Sequence, residues 1–253
     1  EKFSGPLRLR EGLAKSKNLV AIRVLKNIGP EYAQDYISRF GFDPKKHQPY
    51  LSMALGVGEV TAMEMVSAYS VFANGGYLKK PYFIDKIIDS QGRKVKLSSA
   101  LMNAEVPRII DPRNAFIMTD MLKEVINSGT ARKAKRLKRN DIAGKTGTTN
   151  NLIDAWFAGY NPDIVTVTWM GFPQPKPLGD KETGSRAALP IWIDYMEPIL
   201  EDYPIKMLVE PEGILPLKVK ESDGTLAGPN EPGIYEYFYD EFLPKDNAYF
   251  MIN

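Results

Sequence analysis

The sequence predicts an α+β fold in which helices flank an antiparallel sheet of three strands near residues 141–172. The first observation is a series of short segments with the apolar spacing of helices, which occupy most of the first half of the chain. The second is a set of three strand-like runs with short connections, a pattern that favours antiparallel pairing. The third is the run 164–172, where valine and tryptophan alternate with threonine as in a half-buried strand.

Boundary signals mark the ends of the predicted helices. Thr61 and Glu64 form a capping-box pattern, and Asp111-Pro112 supplies a cap and a first helical residue. Glycines end several segments, and Pro190 fits only in the first turn of the last helix. The predicted helices cover residues 7–15, 19–28, 30–40, 61–74, 111–128 and 187–200.

The chain is predicted to divide at residue 203. With 253 residues and 43% hydrophobic content it can bury a sizeable core, which we assign to a main domain of residues 1–203. Beyond that point the composition becomes rich in Pro, Gly, Asp and Glu, which predicts that residues 204–253 form an extension packed on or trailing the domain. Residues 84–97 are predicted to form a surface hairpin that turns at Ser90-Gln91-Gly92.

Composition excludes several classes of site. The net charge of +2 implies no general attraction to nucleic acid, and the absence of cysteine excludes thiol nucleophiles, disulfides and zinc–thiolate centres. The only histidine, His47, is interpreted as a solvated loop residue, so a multi-histidine metal site is excluded and no metal or cofactor is predicted. The basic run 132–139 is interpreted as a solvated loop, with a patch facing an anionic polymer or lipid surface as the alternative.

The segment 143–150, A-G-K-T-G-T-T-N, is the strongest candidate site. It places a lysine, hydroxyl groups and glycines at the mouth of a predicted hairpin, where they can hold an anionic group against the strand edge. A lone match of this kind is more often a structural turn than a catalytic element. The phosphate-binding loop is the chief rival, but Arg139 stands where that motif needs glycine, and a strand follows instead of a helix.

A second element, Ser16-Lys17-Asn18, lies far upstream. Together with Lys145-Thr146-Gly147-Thr148 it resembles the second and third motifs of the serine penicillin-binding proteins and β-lactamases. Further segments resemble the class A (bifunctional) penicillin-binding proteins, and two of them narrow the resemblance to the 1A type of Gram-negative bacteria. The class A segments are 5–11, 16–20, 72–76 and 154–160, and the narrower ones are 182–192 and 224–230.

The resemblance implies the fold of the serine β-lactamases and D,D-transpeptidases. It also implies a D,D-transpeptidase that cross-links peptidoglycan stem peptides through a serine acyl-enzyme and is acylated by β-lactams. In that reaction Lys145 supplies positive potential and Ser16 relays a proton toward the leaving amine. Both are therefore candidate catalytic residues, whereas Lys17 between the other two motif residues is expected to face outward.

The substrate implied by the resemblance is a peptide stem that ends in D-alanyl-D-alanine. Asn18 is expected to hydrogen-bond the donor stem, and the hydroxyls of Thr146 and Thr148 to bind the terminal carboxylate. Gly147 is expected to leave room for the substrate as an added strand. The Thr148 amide, with the amide of the nucleophile, would form the oxyanion hole.

The family nucleophile, a serine followed three residues later by lysine, has no match in this chain. We therefore expect the nucleophile, several strands of the sheet and a glycosyltransferase domain to lie on an upstream segment or a second polypeptide. The resemblance also implies an N-terminal membrane anchor outside this chain and a location at the periplasmic face of the bacterial inner membrane. We expect the chain to be stable only together with the segment that carries the missing motif.

Two other functions are compatible with the short motifs. A D,D-carboxypeptidase or a β-lactamase-type serine hydrolase shares all three motifs and transfers the acyl group to water. A penicillin-recognising sensor or scaffold would bind without turnover. The 1A-like segments favour the transpeptidase over the hydrolase, and rapid deacylation or measurable cross-links would exclude the sensor.

Overall fold

The computed structural model describes residue 5, residues 7–95 and residues 106–244. Lys96 and Leu97 of the predicted hairpin, and residues 245–253 of the predicted extension, lie outside the described residues. The described helices are α1 (Leu9–Ala14), α2 (Asn18–Ile28), α3 (Pro30–Ser38), α4 (Ala62–Ala73), α5 (Pro112–Asn127) and α6 (Leu189–Glu201). The described strands are β1 (Ile87–Ile88), β2 (Lys94–Val95), β3 (Ala143–Thr148), β4 (Ala155–Tyr160), β5 (Val165–Met170), β6 (Ile214–Val219) and β7 (Ile234–Tyr239). None of the helices in these ranges is long and apolar enough to cross a bilayer.

Helix boundaries follow the signals in the sequence. α4 begins with a complete capping box, because Thr61 Oγ1 accepts from the Glu64 amide at 3.1 Å and the Glu64 carboxylate accepts from the Thr61 amide at 2.7 Å. Asp111 caps α5 by accepting from the backbone amide two residues later, at 2.8 Å. α6 begins at Leu189 and not at residue 187, because the π-helical turn Gly184–Ala188 precedes it.

The predicted three-stranded antiparallel sheet is confirmed, with the strand order β3-β4-β5. β3 pairs with β4 from Ala143 opposite Tyr160 to Thr148 opposite Ala155. The other side of β3 pairs with no described strand, so β3 is an edge strand of the described sheet. An edge strand offers unpaired backbone groups to an extended peptide.

A continuous core joins the sheet to α5 and α6. Trp192 of α6 is fully buried, packs edge-on against Phe157 with ring centroids 5.0 Å apart, and donates from its indole nitrogen to the Thr166 carbonyl at 3.0 Å. The hydroxyls of Thr119 and Tyr160 share a buried hydrogen bond of 2.9 Å, which ties α5 to β4. β4, the strand that pairs with β3, is therefore held by contacts with both α5 and α6.

The chain beyond residue 203 contains a β-hairpin that the sequence analysis did not predict. β6 and β7 pair antiparallel along their whole length. The hairpin packs on α5, where Phe116 and Tyr237 meet edge-on with centroids 5.0 Å apart. The alternating aromatic residues of β7 were its signal in the sequence, but Pro- and Gly-rich surroundings obscured them. The boundary at residue 203 itself stays a prediction.

The expectation that His47 is a solvated loop residue is wrong. His47 is only 8% exposed, and its ring lies against Phe42 with centroids 5.5 Å apart. Gln34 of α3 holds the loop by donating to the carbonyls of Pro44 and His47, both at 2.8 Å. Packing on α3 therefore buries a residue whose sequence neighbours are polar.

The basic run 132–139 is only partly the solvated loop that was expected. Arg132–Leu137 form a 3-10 helix, and Arg136 forms surface ion pairs with α6. Arg139 is instead mostly buried, and it pairs with the fully buried carboxylate of Asp141 at 2.6 Å. Its guanidinium also donates to the carbonyls of Leu200, Tyr203 and Pro204. Arg139 thus fastens the end of α6 to the start of β3.

Candidate active site

The structure brings together the two predicted catalytic residues. Lys145 Nζ donates to Ser16 Oγ at 2.8 Å and to the Thr146 carbonyl at 2.9 Å. Lys145 is half-buried on the edge strand β3, whereas Ser16 is exposed at the end of α1. Because Ser16 accepts this hydrogen bond, its own O–H is left to donate to a further group.

Ser16 is held by a Schellman motif at the end of α1. The Lys17 amide donates to the Gly12 carbonyl at 2.9 Å, and the Ser16 amide donates to the Leu13 carbonyl at 3.1 Å. In this motif Ser16 occupies the left-handed position, with a φ of 51°. Glycine is favoured there, because an L-residue with a side chain is strained by about 1–2 kcal/mol in that conformation. A serine at this position is therefore strained, as residues at functional sites often are.

Thr130 docks the end of α1 against β3. Its amide donates to the Ala14 carbonyl at 3.1 Å, and its hydroxyl shares a hydrogen bond of 2.6 Å with the Thr146 hydroxyl. Gly129 allows this approach, because a Cβ there would lie 2.2 Å from the Ala14 carbonyl oxygen. Thr130 was not predicted as a site residue, because nothing in the sequence around it indicates contacts with two distant segments.

The two threonines predicted to bind a carboxylate lie in different environments. Thr146 is buried and its hydroxyl is engaged with Thr130. Thr148 is exposed, and its Oγ1 accepts from the Gly184 amide at 3.0 Å, which leaves its O–H free to donate. Gly184 was also not predicted as a site residue, although it lies in the segment 182–192 that resembles the 1A type. A Cβ there would lie 2.4 Å from the Gly147 carbonyl oxygen, so only glycine fits.

The remaining predicted residues, Asn18 and Gly147, belong to the same two sequence segments as Ser16 and Lys145. Asn18 is exposed at the first position of α2, and Lys17 before it is exposed as expected. Gly147 lies opposite Trp156, where a Cβ would come within 3.2 Å of the Trp156 Cβ. Its small size is thus needed within the sheet as well as for the predicted approach of a substrate.

Burial sets the electrostatics of the site. Desolvation lowers the pKa of Lys145 to about 8, because burial disfavours its charged form. A lysine with such a pKa can both hold and release a proton near neutral pH. Among residues 7–95 and 106–244, no group of three His, Asp or Glu side chains is arranged as a metal site requires.

Comparison with known proteins decides the family. The sequence profile of the penicillin binding protein transpeptidase domain matches residues 1–197. The chain belongs to this family. Relatives of this transpeptidase chain include penicillin-binding protein 1A of Neisseria lactamica, 49% identical over 215 residues, and that of Pseudomonas aeruginosa, 42% identical over 289. These alignments cover 85% and 96% of the chain but only 27% and 35% of the relatives' length.

Solved structures agree with this assignment. The transpeptidase chain superimposes on penicillin-binding protein 1A from Haemophilus influenzae with a TM-score of 0.91 at 32% identity, covering 98% of the chain and 42% of that protein. PonA1 from Mycobacterium tuberculosis in complex with penicillin V, at 22% identity and a TM-score of 0.66, covers 91% of the chain and 64% of that protein and shares the fold. The predicted fold and the resemblance to the 1A type are thereby confirmed.

Two substitutions of Ser16 separate the strain at this position from its chemistry. Ser16→Gly and Ser16→Ala both remove the hydroxyl that contacts Lys145, but only glycine adopts a positive φ without strain. We expect Ser16→Gly to be more stable than Ser16→Ala by about 1 kcal/mol. Urea unfolding of the two variants measures this difference. Equal free energies of unfolding would show that residue 16 does not adopt the left-handed conformation.

We expect the Lys145 ammonium to titrate near pH 8 in the folded protein, because burial lowers its pKa to about 8. In the unfolded chain the same proton is held up to about pH 10.4. Between these values the unfolded state binds more protons, so the contribution of Lys145 to the free energy of unfolding rises with pH.

Carbon-13 NMR of reductively methylated lysines measures this midpoint, with Lys145→Arg as the assignment control. A methylated lysine in a short model peptide serves as the reference. A Lys145 midpoint close to that of the peptide would contradict the desolvated environment.

Proposed function

We propose that the chain forms part of the active site of a serine D,D-transpeptidase, which cross-links peptidoglycan stem peptides through an acyl-enzyme and is acylated by β-lactams. Membership of the family supports peptidoglycan transpeptidation as the general reaction. The observation that carries the proposal is the hydrogen bond of 2.8 Å between Lys145 Nζ and Ser16 Oγ, on a strand β3 that has one edge unpaired with any described strand. An ammonium and a hydroxyl would then be available to a peptide bound along β3.

The nucleophile of the proposed reaction is a serine outside this chain, in a Ser-x-x-Lys motif on an upstream segment or a second polypeptide. No serine of this chain has lysine at that spacing. The similar 1A proteins contain ample further sequence, since the chain spans 27% to 42% of their length. The serine oxygen would attack the amide carbon before the terminal D-alanine and pass its proton to the lysine of the same motif. The C–N bond then breaks and the leaving nitrogen takes up a proton. The amine of the acceptor later displaces the serine oxygen from the acyl group, and the proton that the amine loses returns to that oxygen.

Ser16 and Lys145 would supply that proton. The Lys145 ammonium donates to Ser16 Oγ, and the Ser16 hydroxyl is free to donate onward. A proton passed from Ser16 to the leaving nitrogen is therefore replaced from Lys145. A lysine pKa of about 8 suits this role, because a general acid works best when its pKa lies near the working pH.

Thr148 would bind the terminal carboxylate of the substrate. Its hydroxyl oxygen already accepts from the Gly184 amide, so the hydroxyl proton remains for an incoming acceptor. A hydrogen bond to a charged acceptor contributes about 1.5–3 kcal/mol. Thr146 shares a hydrogen bond with Thr130 in which either hydroxyl can donate. When Thr130 donates, the Thr146 O–H would be left for the same carboxylate. Asn18 would contact the donor stem.

The properties of the whole protein follow as part of the proposal. By their names the relatives are 1A penicillin-binding proteins. We accordingly assign the parent protein a glycosyltransferase domain, an N-terminal membrane anchor and a location at the periplasmic face of the inner membrane. Residues 204–253 would be an extension packed on the transpeptidase domain.

The product formed with an amine acceptor tests the proposed reaction. We expect the full-length protein, given a labelled stem peptide ending in D-alanyl-D-alanine and an amine acceptor, to form the cross-linked product. Thr148→Val should lower this rate about 10- to 100-fold, because one hydrogen bond to the carboxylate is lost. Thr168→Val, on β5 and separated from β3 by the strand β4, is the matched control and should react at the wild-type rate.

Two results would contradict the proposal. Release of free acid alone, in the presence of acceptor, would identify a hydrolase. Binding of penicillin without turnover of any stem peptide would identify a sensor.

A further inference from the structure

Four charged side chains form an ion-pair cluster between the start of α1, α5 and β7. Arg8 Nη1 pairs with Glu236 Oε1 at 2.6 Å, and Arg10 Nε donates to Glu236 Oε2 at 2.7 Å. Arg10 also pairs with the Asp120 carboxylate at 2.5 Å and donates to the Asp120 carbonyl at 3.1 Å. Both arginines belong to the segment 5–11, which carries family resemblance but has no role in the proposed reaction.

The cluster is largely shielded from water. The exposed fractions of the four side chains lie between 12% and 25%. Two positive and two negative charges balance, so loss of one carboxylate leaves an arginine without a counter-charge in a region where screening is weak. Such a cluster fixes the relative positions of the three elements more firmly than a surface ion pair does.

α1 is the element between this cluster and the active site. It contains six residues, so it is about 9 Å long, and a helix of that length has little stability of its own. The cluster holds its first turn, and the Thr130 amide holds its last carbonyl, that of Ala14. Ser16 follows two residues later. The position of the Ser16 hydroxyl therefore depends on anchors at both ends of α1.

We propose that Glu236 is a positioning residue for the contact between Ser16 and Lys145, so that the hairpin β6–β7 supports the active site. Glu236 touches neither residue and acts through Arg10 and α1. The inference rests on the proposed function of Ser16 and Lys145 and extends it to a hairpin beyond the matched residues 1–197.

The hairpin has a second attachment that provides a matched control. Arg113 at the start of α5 pairs with Glu241 at 2.9 Å, and its guanidinium lies over the Tyr239 ring at 4.3 Å. This attachment holds the hairpin to α5 without touching α1. Loss of Glu241 therefore weakens the docking of the hairpin and leaves the clamp on α1 in place.

The test compares Glu236→Gln with Glu241→Gln in the full-length protein. The first readout is the rate of acylation by a fluorescent penicillin, normalised to folded protein. We expect Glu236→Gln to lower this rate roughly 10- to 100-fold, because small displacements of catalytic groups have effects of this size. Glu241→Gln should acylate at the wild-type rate. The second readout is the Lys145 titration midpoint. Glu236→Gln should raise it, because a displaced α1 lets water reach the ammonium and relieves the desolvation that lowers its pKa; Glu241→Gln should not move it.

The other possible results also test the role of Glu236. Wild-type acylation in both variants would show that the hairpin only stabilises the fold, and would overturn the inference. An equal loss of acylation in both variants would overturn it as well. If Glu236→Gln does not fold, Glu236→Asp keeps the charge but shortens the reach, and it should acylate at an intermediate rate; a wild-type rate would overturn the inference. Ser16→Ala in the same assay separates the two proposals, since normal acylation there refutes the proposed function itself.

Discussion

The hydrogen bond between Lys145 and Ser16 is the contact on which the account of the site depends. The two residues lie 129 positions apart in the chain, and the packing of both α1 and β3 on α5 brings them together. Thr130 completes that packing by contacting both Ala14 and Thr146. Two short motifs that are each compatible with a structural turn are therefore joined in one candidate site by one long-range contact.

Two features of this contact oppose the stability of the fold. Ser16 adopts a backbone conformation that favours glycine, and burial makes the charged form of Lys145 less favourable. Strained backbones and shifted pKa values are typical of functional sites, where rigid surroundings maintain them. Here those surroundings are the buried core around Trp192 and the ion pairs that hold the start of α1. The stability of this core and of these ion pairs thus maintains the strained backbone of Ser16 and the buried charge of Lys145.

The sequence was informative wherever a few neighbouring residues decide the structure. The cap at Asp111 and the capping box at Thr61 act within a few residues, and the structure has both. The alternation along 164–172 predicted the strand β5, but burial does not alternate along it, because Trp169 is exposed. The sequence was uninformative where distant atoms decide. Apolar spacing predicted the end of α1 but not the positive φ of Ser16, and nothing local indicated that Thr130 and Gly184 would contact the site. The hairpin β6–β7 was missed because its flanking composition is typical of irregular structure.

The most direct test is a crystal structure of the full-length protein acylated by a penicillin. The account predicts an acylated serine from a Ser-x-x-Lys motif outside this chain, with Ser16 Oγ and Lys145 Nζ within about 3 Å of each other and facing the acyl group. It also predicts the penicillin carboxylate at the Thr148 hydroxyl. An acylated serine elsewhere, with the Ser16 and Lys145 pair facing away from the bound drug, would contradict it.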